Sequence, residues 1–409
     1  MVPVKNSFLD TYYKQKTGRV MKNILRFVML LFCWDVYAAT TQFDVSASDF
    51  SGMPDYLLDA AHAWSGIFES VGTSGAIASY VHDIQSVDVA KYIDAISVLG
   101  FNNTAMAIYE INNHIDRAFS VINTPLISRR SQCEKNLANC VSARRTLVVD
   151  GHVFGNFADF DSGKNGDFKT KNTGFSVNAK GYVADGWLFG VQYTRSMTDT
   201  HDTRVYSDAT GNSITMFSQY LSKSGIFINS GLNAGHTSWN ADKSIVGIPD
   251  PSAYETDFYA AQINAGIRMF RNRISITPQI SVRYQYMSAD KYVDAAAQTF
   301  DDWWFNTLNA SASVDLGFDF IGTDFIIRPN MRIGGGYDLI SHGTDAMHVQ
   351  LINGALYNIP IETPHRASMN GAIGVNFYTR NFAAGLNYQL DMRSDYVSHT
   401  IMAKLKIGF

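Results

Sequence analysis

The sequence predicts an all-β membrane barrel in which about twelve antiparallel strands close around a lumenal α-helix, preceded by a small α-helical segment. Three observations predict it. From Leu147 to Phe409 apolar and polar residues alternate with a period of two, as on strands with one greasy and one wet face. The connections between these runs switch between very short and long, the wiring of an outer-membrane barrel. An export-type leader opens the chain, and after it no run holds the roughly 18 apolar residues that a spanning helix needs. Backbone polar groups in lipid must be paired within the protein, which leaves a closed barrel as the spanning form.

Residues 1–38 read as an N-terminal extension and a signal peptide. Met21 opens a segment with Lys22 and Arg26 before an apolar core from Phe27 to Trp34, and Val36-Tyr37-Ala38 precedes a cut near Ala38, so the mature chain begins near Ala39. Residues 1–20 are polar and resemble an extension upstream of the Met21 start. Cys33 is a poor lipid-acceptor, because Phe32 and Trp34 beside it are too large for a small-residue processing pocket.

Residues 39–100 form a short helical segment, a passenger or a periplasmic piece. Asp49 to Ser51 cap a helix from Pro54 to about Val71, Gly72 and Gly75 break it, and apolar periodicity resumes in Ile77–Ile84 and Val87–Leu99. Residues 101–146 hold a linker helix and a loop closed by a disulfide. After the Asn102-Asn103 cap, Ala105, Ile108, Asn112, Ile115, Phe119 and Ile122 recur at spacings of three and four and set one helix face. A helix from Thr104 to Ile122 is about 28 Å long, close to the roughly 30 Å of hydrocarbon that a barrel wall covers. Cys133 and Cys140 remain after leader removal. In an oxidising compartment they are expected to form a disulfide across a short loop, worth about 2–3 kcal/mol.

Residues 147–409 make the barrel. Short links fall at Ala184-Asp185-Gly186, Ser222 to Gly225, Arg271 to Arg273, Ile321 to Asp324 and Thr379 to Asn381. Longer loops are expected at Phe160–Asn172, Met197–Asn212, Asn240–Thr256, Met287–Asn309 and Leu339–His365, with a briefer one near Asp391–Tyr396. Five short turns and six loops give an even strand number with both barrel ends on one side. The apolar run Ile274, Ile276, Pro278, Ile280, Val282 alternates with Ser275, Thr277, Gln279, Ser281, Arg283, and similar runs continue to Phe409. The alternation turns Asp150, Lys180, Arg268, Arg283, Asp315, Asp319, Arg328 and Arg332 inward, as a mixed-charge lumen that holds water and steadies the helix.

Charged residues are sparse at 17% and the net charge is −4, a balance that excludes a nucleic-acid binder, which needs a basic patch. No cofactor or metal is expected. The histidines are scattered without metal-ligand spacing, Gly334-Gly335-Gly336 lies inside a strand, and no serine sits in a nucleophile elbow, so a conventional enzyme is not expected.

A signal peptide, a helix, about twelve strands and a terminal phenylalanine on an alternating strand resemble the translocator of a monomeric autotransporter, the type V secretion family, over roughly residues 100–409. The resemblance implies a monomer in the cell outer membrane of a Gram-negative bacterium, after Sec-type export, contacting outer-membrane lipid and lipopolysaccharide. It also implies periplasmic chaperones and the barrel-assembly machinery as partners, the latter reading Leu405, Ile407 and Phe409 as an assembly signal. The helix would thread the lumen and join an exported segment to the first strand, with both barrel ends in the periplasm.

A second resemblance concerns Glu110-Ile111-Asn112-Asn113, which is similar to the cleavage site of the serine-protease autotransporters of enteric bacteria. It implies a single-turnover self-cleavage in which the Asn112 amide attacks its own carbonyl and the bond to Asn113 is cut. Such a weak nucleophile needs activation, for which Asp150, His152, Asp315, Asp319 and Asp391 are the inward candidates. His114 in place of an aliphatic residue, and roughly thirty residues between Asn113 and the first strand, depart from that group's pattern. The expected function is a translocator that exports, displays or anchors its N-terminal segment. The alternative is a porin-like pore or an adhesin working through its loops, notably the aromatic stretch Phe300 to Phe305.

Overall fold

The computed structural model describes residues 58–64, 104–123 and most of 147–408, with gaps at 161–167, 185, 202–204, 246–247, 295, 324 and 380–381. The leader, the cysteine pair Cys133 and Cys140, most of residues 39–100, and Phe409 lie outside the described residues. Residues 58–64 are helical. None of the described helices is long and apolar enough to cross a membrane, which says nothing about crossing by strands.

Twelve long strands follow one another around a ring: β1 (Val148–Phe160), β2 (Phe168–Ala184), β3 (Trp187–His201), β4 (Val205–Leu221), β5 (Ile226–Ile245), β6 (Ile248–Ile267), β7 (Ile274–Ala289), β8 (Trp303–Phe318), β9 (Ile326–Gly343), β10 (Ala367–Tyr378), β11 (Phe382–Arg393) and β12 (Tyr396–Gly408). Every neighbour in sequence is an antiparallel neighbour in space. The ring closes where β1 meets β12 over its whole length, from Val148↔Gly408 to Phe160↔Tyr396. Closure leaves no unpaired edge in the wall, the condition for a sheet to sit in hydrocarbon.

The five short turns all lie at one end, together with the start of β1 and the end of β12. Gly186 (φ 79°), Gly225 (φ 90°) and Asn272 (φ 58°) supply the left-handed conformations of three of these turns. Trp187, Phe320, Phe325 and Phe382 flank the turns on the outer surface as an interfacial aromatic girdle. Farther along the wall the outer face is aliphatic and open, with Leu232 64%, Ile280 63% and Ile333 60% exposed, while their neighbours in sequence point into the lumen. In water that surface would be costly to maintain, whereas in a bilayer it meets acyl chains.

At the opposite end three expectations need correction. Met197–Asn212 and Asn240–Thr256 are not long loops but continuations of the strands: β3 and β4 pair out to His201↔Tyr206, and β5 and β6 out to Ile245↔Ile248. The reason is environmental. Beyond the lipid the outward positions, among them Asp199, Tyr206, Asp208 and Asn240, meet water, so the apolar half of the alternation disappears while the ladder continues. The connection near Asp391–Tyr396 is likewise a tight turn at Ser394-Asp395.

The third correction concerns the two longest loops, which are not free. Tyr292–Val293, Thr299–Phe300, Ala346–Gln350 and Leu356–Pro360 pair into a separate four-stranded sheet joining the β7–β8 connection to the β9–β10 connection. The aromatic stretch expected to form an adhesive surface is buried: Phe300 in the loop sheet is 0% exposed, and Trp303 and Phe305 at the start of β8 are 2% and 1%. Tyr292 stacks on Phe300 with centroids 4.7 Å apart and on Tyr254 of β6 at 4.8 Å, pinning this loop sheet to the tall side of the wall. Trp303→Ala is expected to cost the loop sheet about 3–5 kcal/mol. The barrel below should keep its different mobility in boiled and unboiled gel samples, while limited proteolysis cuts the 290–302 and 344–366 connections faster than in the parent.

Candidate functional site

The lumen is occupied by α1 (Thr104–Ala118) and the short α2 (Ser120–Asn123), separated at Phe119. The expected single helix to Ile122 is therefore broken one turn before its end. Its direction is fixed by contacts at both mouths. Near the start, Tyr109 donates to Asp395 of the β11–β12 turn at 2.7 Å, stacks on Tyr396 at 4.8 Å and packs on Phe160, all at the loop end of the wall. Near the finish, the Val121 and Ile122 carbonyls accept from Gln219 (3.2 Å) and Asn229 (2.8 Å), which flank the Ser222–Gly225 turn. The chain thus enters at the loop mouth and leaves at the short-turn mouth, where β1 begins.

The last carbonyls of a helix have no partner within it. Here the wall supplies partners in succession. Gln192 donates to the Ala118 carbonyl at 2.9 Å, Gln219 and Asn229 to those of Val121 and Ile122, and Arg332 to that of Asn123 at 2.6 Å. A cation in that place also complements the negative end of the helix dipole. The opposite half of the helix is apolar, with Ala105, Met106, Ala107, Ile108 and Ile111 all buried.

The helix leans on β2 to β5, and that wall is shaped for it. A Cβ on Gly231 would lie 3.0 Å from the Phe119 ring and 3.2 Å from Ile122, and a Cβ on Gly211 would lie 2.9 Å from His114 Nδ1. His114 is not a misfit in a cleavage motif but the central wall contact. Its Nδ1 meets Ser196 Oγ at 2.7 Å, its Nε2 meets Ser213 Oγ at 2.8 Å, and its ring sits edge-on to Phe258. Two hydroxyls can serve either ring tautomer, so a buried imidazole is satisfied whichever nitrogen carries the proton. One turn earlier, Glu110 accepts from Asn172 at 3.1 Å and Thr198 at 3.3 Å, and from Asn113 at 3.3 Å.

Between the helix and the remaining wall lies a polar cavity of about 160 Å³, lined by Asn112, Asn113, Asp116, Arg283, Gln285 and Asp391 among others. Few links cross it. Gln285 donates to Asn112 Oδ1, Arg283 pairs with Asp116, and Tyr396 donates to Asn113 Oδ1 at 2.9 Å. Of the five inward groups that might activate Asn112, only Asp391 shares this cavity. Asp150 pairs with Lys180 at 2.5 Å, His152 meets Ser120 at 3.2 Å, Asp315 holds Arg332 at 2.8 Å, and Asp319 forms a fork with Arg328.

Of the eight charges expected to face the lumen, six pair with one another across the wall. Lys180–Asp150, Arg328–Asp319 and Arg332–Asp315 are wall-to-wall pairs, and Arg268 lies over the Phe270 ring at 5.1 Å. Arg283 and Arg332 reach the helix, at Asp116 and at the Asn123 carbonyl. What steadies the helix is mostly neutral: amides and hydroxyls that periodicity marks as inward without marking what they hold. A further pair, Arg393 with Asp338 at 2.7 Å, closes the loop end on the short-stranded side, and no local pattern marks it.

Two substitutions test the seating. His114→Ala strands the Ser196 and Ser213 hydroxyls and is expected to cost about 1–3 kcal/mol; Gly231→Leu pushes a side chain into the space of Phe119. Both should raise hydrogen exchange of amides 105–122 at least about tenfold relative to the strands. Unchanged exchange in both would place the anchoring of the helix elsewhere.

No match is found among curated protein sequences. The family model described as the Autotransporter beta-domain matches residues 149–389. The translocator domain of the autotransporter NalP from Neisseria meningitidis is 10% identical, with a TM-score of 0.54 over 69% of this chain and 97% of that one. The β domain of the Bordetella autotransporter BrkA is 14% identical, with a TM-score of 0.50 over 64% of this chain and 100% of that one. At such identities the structural likeness speaks for the fold alone, whereas the family match spans more than half of the chain. On that match, a closed twelve-strand ring and a lumenal helix, the chain belongs to the autotransporter β-domain family, the β-barrel translocators of the outer membrane.

Proposed function

We propose that the barrel carries residues 39–100 across the outer membrane and keeps them displayed at the cell surface, with α1 and α2 as tether and plug. The observation that supports this is the direction of the helix. Its first residue stands at the loop mouth, and in barrels of this kind the long connections face outward and the short turns face the periplasm. The chain before Thr104 therefore starts from the outer side. Movement through the lumen would draw on folding and on assembly partners, since the periplasm offers no ATP.

The partners implied by the family belong to the same reading. Barrel-assembly machinery would recognise Leu405 and Ile407, which are open on the outer face of β12, together with Phe409. Periplasmic chaperones would hold the strands before insertion, and lipid and lipopolysaccharide would cover the outer face of a single barrel. Leader removal near Ala38 would precede all of these steps.

Protease added to intact cells is expected to cut within residues 45–100 and leave a protected fragment of barrel and helix. Protection of that stretch until the outer membrane is permeabilised would refute display and leave a periplasmic domain.

Release by self-cleavage is the second reading, favoured by the shared cavity of Asn112 and Asp391. Under display, outer membranes contain one full-length mature chain, and Asn112→Asp gives the same pattern. A shorter parent species that disappears in Asn112→Asp would replace display with release.

A further inference from the structure

The hairpin of β6 and β7 has a breach in its ladder. Pairing runs to Gly266↔Gln279, stops, and resumes in the same register at Met269↔Ile276. The missing pairs are those of Ile267 with Pro278 and of Arg268 with Thr277, because the Pro278 nitrogen has no proton to donate. The ring stays closed, since Pro278 keeps its place opposite Val314 of β8. On the lipid side of the breach lies a shallow groove of about 550 Å³, with Ala265, Ile267, Pro278, Ile280, Val314 and Ile333 along it.

The same hairpin ends in a basic turn. Arg271 follows Ile267 and Met269 on the outward face of the strand, about 13 Å beyond Ile267 at the usual rise per residue, and Arg273 stands in the turn itself. Both are exposed, and neither pairs with an acid among the described residues. The other four short turns bring one charge each, Asp185, Lys223, Asp324 and Arg380, whereas this one brings two cations and no acid. Short turns of such barrels face the periplasm, so the two guanidinium groups stand level with the headgroups of the periplasmic leaflet and the groove with its acyl chains. Guanidinium forks suit phosphate oxygens, and a breached, apolar stretch of wall suits a chain of methylenes.

We propose that the groove and the turn together dock one anionic phospholipid of the periplasmic leaflet. Its headgroup phosphate lies at Arg271 and Arg273, and one acyl chain runs past Met269 and Ile276 into the groove at Ile267, Pro278 and Ile280. Charge selects the headgroup, and the groove holds the chain. The site lies outside the ring, away from the helix, so it rests on the membrane location of the barrel and not on whether residues 39–100 are exported.

The test uses the refolded full chain in a neutral detergent, with lipid retention read by native mass spectrometry. With matched acyl chains, one phosphatidylglycerol should be retained at least about fivefold more than phosphatidylethanolamine. Arg271→Gln combined with Arg273→Gln should bring retention down to the phosphatidylethanolamine level, and Ala265→Phe, which fills the groove and leaves both arginines, should also lower it. Lys169→Gln, near the loop end of β2, should keep the parent value. Equal retention of the two lipids, or parent-like selectivity in the double variant, would overturn the proposal. Full retention in Ala265→Phe would overturn the groove, leaving attraction between turn and headgroup alone. Should a variant fail to fold, phosphatidylglycerol with a photoreactive acyl chain decides on the parent: adducts concentrated in residues 263–280 and 312–314 support the site, and adducts spread evenly over the twelve strands refute it.

Discussion

Pairing of β1 with β12 is the constraint on which the rest of the molecule depends. With that seam open, two strands would present bare amides and carbonyls to hydrocarbon, at a cost of several kcal/mol for each unsatisfied group. With it closed, thirteen consecutive partners from Val148↔Gly408 to Phe160↔Tyr396 complete the ring and define an inside. Everything polar that the chain must bury can then go to one place. The lumen takes the glutamines, asparagines, serines and paired charges, and the outer face is left to aliphatic residues and to the aromatic girdle beside the short turns.

An interior filled with polar groups needs partners for them, and the helix supplies some by way of its own defects. The carbonyls at its end are matched by Gln192, Gln219, Asn229 and Arg332, while Gly211 and Gly231 remove the side chains that would hold it off the wall. The fit is one-sided. Against β2 to β5 the helix is packed closely through His114 and Phe119, whereas on the far side only a few long side chains reach it across a wet cavity. The helix thus fills one side of the lumen and leaves the other open, and its direction ties its start to the mouth with the long connections.

The outer end shows how a strand pattern can fade while the strand continues. β5 and β6 run for 20 residues each, well beyond the roughly 9–11 that cross hydrocarbon, and β10 and β11 for 12. On the tall side, outward positions beyond the membrane carry Asp199, Asp208 and Asn240, so the stretch reads as loop although its ladder is intact. The aromatic residues Phe300 to Phe305 mislead in the opposite sense. In a long connection they suggest an exposed contact surface, but two connections far apart in sequence pair with each other and bury three of the four rings.

From the sequence alone came the barrel, its strand number and the placing of both its ends on one side, because a period of two is a local property that lipid on one face and water on the other impose on every strand. The helix was legible for the same reason, through its spacing of three and four. Partnership was not legible. That His114 meets Ser196 and Ser213, that Asp116 meets Arg283, and that Gly231 exists to admit Phe119 depend on register and on where the helix leans. Those are properties of the closed ring: residues about a hundred positions apart become neighbours only once shear and closure have set which strand faces which turn of the helix, and no local pattern encodes that choice.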